Sequence, residues 1–134
     1  MNAVREAIEA KDMDAVEALL ADDVVFRSPV AFKPYPGKAI TTAILRSVVE
    51  VFEDFRYVRQ MVDGPNQALV FEAKVDGLEI TGCDFLVLDD EGKVVDFMVM
   101  VRPLKAAQAL SERMAERFPA IQAAAQEWME RNAG

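Results

Sequence analysis

Residues 77–103 read GLEITGCDFLVLDDEGKVVDFMVMVRP, and their pattern decides the fold. Two runs rich in β-branched and large apolar residues, Leu78–Leu88 and Lys93–Arg102, flank Asp89-Asp90-Glu91-Gly92. That loop is built of turn formers and ends in a glycine, which can take the positive φ of a hairpin position. The stretch therefore predicts two long antiparallel strands. Asp84 breaks the pattern, because it sits in the middle of an otherwise apolar strand. A carboxyl at such a position is costly to bury unless it is hydrogen-bonded or protonated. Both alternating sets of the hairpin are mostly apolar: Ile80, Gly82, Asp84, Leu86 and Leu88 on one side, Thr81, Cys83, Phe85 and Val87 on the other. Helices can cover only one of these faces. The other would leave an apolar patch that soluble monomers rarely expose, so a homodimer paired through the outer sheet face is expected.

Working outward, apolar spacing predicts a short helix over 2–11 and a second over 13–21, with Asp12 as its N-cap. Asp22-Asp23 is expected to end it, and Val24-Val25-Phe26 to form a strand closed by Ser28-Pro29. Residues 29–37, PVAFKPYPG, predict an irregular loop in which Phe32 and Tyr35 make a natural lid. A third helix runs from Lys38 to about Glu53 with a broad apolar stripe. Strands follow at 55–63 and 67–75, the latter with Leu69, Phe71, Ala73 and Val75 on one side. After Pro103 the pattern predicts a helix over 104–118 and, with Pro119 at a first helical position, another to about Arg131. The order gives an α+β class with an antiparallel sheet, in a single domain over 1–134 whose core is 1–103 and whose extra helices span 104–132.

Composition narrows the chemistry. The formal net charge of −8 argues against nucleic acid, whose recognition rests on basic phosphate contacts. No apolar run approaches the about 18 residues of a membrane-spanning helix. The charged, helix-forming N-terminus leads to the expectation of a cytoplasmic location. With no histidine, the usual general base near neutral pH and the usual zinc ligand are both missing. Any acid–base chemistry falls to carboxylates, Lys, Tyr or water, and neither a metal nor a cofactor is implied. The single cysteine, Cys83, has no partner for an intramolecular disulfide.

Three motifs, KDMDAVEALLADDVVFRSP (11–29), PYPGKAI (34–40) and GCDFLVLDDEGKVVDFMVMVRP (82–103), carry a resemblance to the nuclear transport factor 2-like superfamily. Within it the chain is similar to the SnoaL-like branch, which includes ketosteroid isomerases, limonene epoxide hydrolase and polyketide cyclases. The resemblance implies a cone-shaped, cystatin-like fold, in which a strongly curved sheet wraps a long helix around an apolar pocket. In the ketosteroid isomerases a general-base Asp precedes the proline that closes the first strand, and Ser28 stands there. The oxyanion-holding Tyr of the first helix is replaced by Val4. The protonated Asp of the strand before the hairpin is matched by Asp84. One of the three groups is present and the base is not, which speaks against that mechanism. The hydrolase's water-activating Asp is met by Val99. A SnoaL-like cyclase, with one pocket Asp as acid and base, stays open.

The resemblance thus implies a small hydrophobic, carbonyl-bearing ligand, bound and open to isomerisation or cyclisation through Asp84 with help from Tyr35. Phe26, Ser28, Phe52, Phe55, Phe71, Leu86, Phe97, Val99 and Val101 are the candidate lining. The alternative is a non-catalytic ligand-binding or dimerisation module, in which Asp84 fixes the strand by bonding Tyr35, Tyr57 or a backbone N–H.

Overall fold

A computed structural model describes residues 2–133. Two short helices open the chain, α1 (Ala3–Glu9) and α2 (Met13–Leu19). Each is started by a side-chain cap: Asn2 accepts from the Arg5 N–H, and Asp12 accepts from the Ala15 N–H at 3.2 Å. The strand β1 then runs Leu20–Arg27, beginning four residues before Val24. Asp22 and Asp23 lie within it at exposed positions, so they do not end a helix there. In the proline-rich segment, β2 (Tyr35–Pro36) pairs antiparallel with β1, Phe26 opposite Tyr35. Helix α3 (Lys38–Val51) follows, then β3 (Glu53–Asp63), β4 (Asn66–Val75), β5 (Leu78–Leu88), β6 (Val94–Arg102) and α4 (Leu104–Asn132).

The six strands form one curved sheet in the order β2-β1-β6-β5-β4-β3. It is not wholly antiparallel, because β1 lies parallel to β6. A parallel neighbour needs a long crossover, and helix α3 with the β3–β5 strands supplies it. Register shifts interrupt β1/β6, β3/β4 and β5/β6. Such bulges bend a sheet and raise its twist.

The hairpin turns as its residues require. Gly92 has φ 79°, and Asp89 Oδ1 accepts from the N–H groups of Glu91 and Lys93, both at 2.9 Å. Burial alternates strictly along β5: Ile80, Gly82, Asp84 and Leu86 point inward, while Phe85 and Val87 are part-exposed. Helix α3 packs into the concave face through Thr41, Ile44 and Leu45.

The expected pair of C-terminal helices is one continuous helix, α4, with Pro119 inside it. A proline within a helix leaves the carbonyl four residues earlier without its donor. Here that residue is Ala115, and both Ala115 and Pro119 are exposed, so water can satisfy the freed group. Helix α4 packs back along α3 rather than standing apart from the core, burying Ala106, Leu110, Ile121 and Ala125. Among the described residues no helix is long and apolar enough to cross a membrane.

Candidate functional site

Asp84 is buried on the inner face of β5, at 5% exposure. Its inward position follows from the pleat, since Leu69 on β4 and Val99 on β6 flank it in register. Of the partners the sequence leaves open, Tyr57 is the one the structure supplies: its hydroxyl donates to Asp84 Oδ2 at 2.5 Å. Tyr57 belongs to β3, two strands away, in register with Phe71 and Gly82. It faces inward because a bulge between Tyr57 and Arg59 resets the pleat. Without that extra residue Tyr57 and Arg59 would share a face.

Gly82 makes the arrangement possible. A Cβ there would lie 2.2 Å from Phe71 Cζ and 2.8 Å from the Met100 carbonyl oxygen. The missing side chain lets the Phe71 ring lie against β5, where it stacks on Phe55 at 4.9 Å and meets Phe52 at 5.3 Å. Phe55 in turn meets the Tyr57 ring edge-on at 4.9 Å, a preferred aromatic geometry. This wall orients the tyrosine whose hydroxyl meets Asp84.

An inner chamber of about 60 Å3 lies before the pair. Of the residues the sequence analysis names as candidate lining, Phe52, Phe55, Phe71, Phe97, Val99 and Ser28 border it. Three other expected lining residues do not: Leu86 is core, Val101 is half-buried beside it, and Phe26 faces a second cavity. That outer cavity, of about 340 Å3, is also where Tyr35 lies. The Tyr35 ring packs on Phe118 of α4 at 5.9 Å, so Tyr35 is not the tyrosine beside Asp84. Its short pairing with Phe26 fixes it on that side. Leu110 and Met114 line the inner chamber from α4, and no sequence pattern short of packing that helix onto α3 would reveal them.

Among the described residues, Asp84 and Tyr57 are the only ionisable side chains of the inner lining. Burial raises the Asp84 carboxyl to about 7, although the Tyr57 hydrogen bond works to lower it. Tyr57 is raised well above its ordinary value, first by burial and then by the negative charge of Asp84. Near neutral pH the tyrosine therefore stays a donor, and the carboxyl can gain or lose its proton. The Tyr57 hydroxyl is spent on Oδ2, which leaves Oδ1 as the other carboxyl oxygen of the pair. Removing the Tyr57 hydroxyl takes away the group that favours the ionised form. Tyr57→Phe is expected to raise the Asp84 pKa further, read as persistence of the protonated carboxyl stretch in infrared difference spectra to higher pH. An unchanged or lower midpoint would remove Tyr57 from this role.

The family model described as SnoaL-like domain matches residues 2–97. The crystal structure of a steroid delta-isomerase from Pseudomonas aeruginosa is 45% identical, with TM-score 0.82, covering 89% of this chain and 88% of that one. A protein with a cystatin-like fold from Silicibacter pomeroyi DSS-3 is 35% identical, with TM-score 0.82 and 91% of each chain covered. An NTF-2 like protein of unknown function from Burkholderia xenovorans LB400 shares the fold at 22% identity and TM-score 0.64, over 80% of this chain and 87% of that one. No curated protein matches the chain.

Proposed function

The chain belongs to the SnoaL-like domain family, and on that premise we propose that its inner chamber binds a small hydrophobic molecule by a carbonyl oxygen, held by protonated Asp84. The observation that carries the reading is the Asp84–Tyr57 pair at the floor of an otherwise apolar chamber. A neutral carboxyl in such a place is a hydrogen-bond donor, and a ligand carbonyl polarised by it is readied for enolisation. Ser28 and Val4 stand where the isomerase pattern has its base and its tyrosine, so in an enolisation with Asp84 donating to the carbonyl oxygen the α-proton would have to leave to water. A four-ring steroid has no room in about 60 Å3. The alternative, a non-catalytic ligand-binding or dimerisation module in which Asp84 only fixes the strand, is favoured by the mutual satisfaction of Asp84 and Tyr57, and one experiment separates the two roles of Asp84.

The 13C-carbonyl signal of acetone, small enough for the inner chamber, is expected to move downfield on binding at pH 5. Its affinity should fall about 5- to 10-fold between pH 5 and 9, the worth of one hydrogen bond from the neutral acid. Asp84→Asn, which keeps an N–H donor, should abolish the pH dependence. Affinity that is the same at both pH values in the wild type would leave Asp84 as a structural group.

We further propose that the outer sheet face pairs two copies of the chain. Its rows carry Met61, Phe85 and Met98, then Val70, Cys83 and Met100, of which Met61 and Met100 are more than half exposed. Arg59 and Arg102 lie toward one end of the patch and Asp63 at the other, so a two-fold axis running across the strands would bring opposite charges together. Light scattering at micromolar concentration should give twice the chain mass, and Phe85→Lys with Met100→Lys the single mass. A single mass for the wild type would end the proposal.

A further inference from the structure

The inner chamber and the outer cavity share four lining residues, Ser28, Val30, Ile44 and Met114, so these side chains form the partition between the two. On its own the inner chamber, at about 60 Å3, is well below the ~150 Å3 known to accept a benzene-sized guest. The outer cavity next to it gives a ligand of more than a few atoms room to extend beyond the partition. Ile44 is held in the α3 core and Ser28 by its own turn, where its Oγ accepts from the Val30 N–H at 3.1 Å. Met114 differs, being half-buried and unbranched with three rotatable bonds, the side chain best able to swing aside. The helix that carries it is pinned on both sides. Arg113 binds Asp76 of the β4–β5 turn at 2.7 Å, and Arg117 donates to Ser47 Oγ of α3 at 3.2 Å. The partition can thus open by rotation of a side chain without moving α4.

We propose that Met114 is a movable partition that sets the length of the ligand, and that the ligand is elongated, with its carbonyl at Asp84 and an apolar tail running into the outer cavity. Among the described residues that cavity has no charged lining side chain, and it is bounded by Phe26, Phe118 and Ile121, which suits such a tail. The inference rests on the reading of Asp84 as the carbonyl-binding group, and the test separates the two.

The probes are the alkan-2-ones from butanone to undecan-2-one and the 1-alkenes of equal length, titrated by ligand-observed NMR. In the wild type, affinity should rise with chain length until the tail meets Met114, pause there, and rise again beyond it. Burial of each further methylene is worth about four-fold. Met114→Ala should remove the pause, tightening the ketones of eight or more carbons about ten-fold while butanone changes less than two-fold. Met114→Trp should close the passage, weakening the long ketones at least ten-fold and sparing the short ones. If the Trp variant does not fold, Met114→Ala decides alone.

A length profile that moves with Met114 in both series, with no preference for ketones over alkenes, keeps the partition and removes the Asp84 reading. A preference for ketones with a profile indifferent to Met114 overturns the partition and keeps Asp84. Binding of neither series to any variant overturns both.

Discussion

Asp84→Asn should be more stable than the wild type above pH 7 and should lose the share of the pH dependence between pH 4 and 7 that Asp84 contributes. The sign follows from the pKa. In the unfolded chain the carboxyl titrates near 3.8, and in the fold near 7. Below about pH 4 both states hold the proton and Asp84 contributes no slope. Between those values the native state keeps a proton that the unfolded state has released, so stability falls as pH rises, at about 1.4 kcal/mol per pH unit. Above 7 both states are ionised and the loss levels off, at a total on the order of 4 kcal/mol. Asn cannot ionise, and its side-chain oxygen can still accept from the Tyr57 hydroxyl. Urea unfolding of both proteins at pH 5 and pH 8 checks this, because contributions from the other carboxylates cancel in the difference. The variant should gain on the wild type by about 3 kcal/mol between the two pH values. Parallel behaviour would mean that Asp84 titrates normally.

Gly82→Ala should be the most disruptive single-methyl change in the sheet. The new Cβ would collide with Phe71 Cζ at 2.2 Å and with the Met100 carbonyl at 2.8 Å. The first contact is with a ring only 1% exposed and fixed by Phe52 and Phe55, and the second is with the backbone of the neighbouring strand. Neither can yield cheaply, and overpacking of this kind costs about 1–3 kcal/mol. Phe71→Leu alone should also destabilise, by removing buried ring area. The double variant should cost less than the sum, because the smaller side chain relieves the main clash. Thermal unfolding of the three variants measures the coupling. Gly82→Ala with wild-type stability would show that the strand shifts freely, and the aromatic wall would lose its role in holding Tyr57.

What the chain discloses of itself depends on how local the cause is. The β5–β6 hairpin is legible because its strands, turn residues and Gly92 are contiguous, and the capping by Asp12 and the α3 stripe are local in the same sense. The family resemblance rests on the same contiguous motifs, and the SnoaL-like domain match covers them through residue 97. The parallel placement of β1 beside β6 is not legible, since residues some seventy positions apart decide it and strand patterns carry no direction. Pro119 misleads for a different reason. Local chemistry favours a helix start, but burial of Ile121 and Ala125 on the same face as Leu110 outweighs one lost hydrogen bond. At the site, Asp84 announces itself as a carboxyl in an apolar strand. Its partner does not, because the orientation of Tyr57 depends on a bulge that no residue in the RYVRQ run marks. Tyr35 sits in a loop that looks like a lid, and only the pairing of β1 with β2 shows that it faces α4 instead.

The account stands on a carboxyl that keeps its proton to near neutral pH in an apolar chamber. Titration of the Asp84 side-chain carbon by 13C NMR, on protein labelled at aspartate and assigned by comparison with Asp84→Asn, tests it directly. The midpoint is expected at about 7 and should move upward in Tyr57→Phe. A midpoint near 4, in the range of a solvated aspartate, would contradict it.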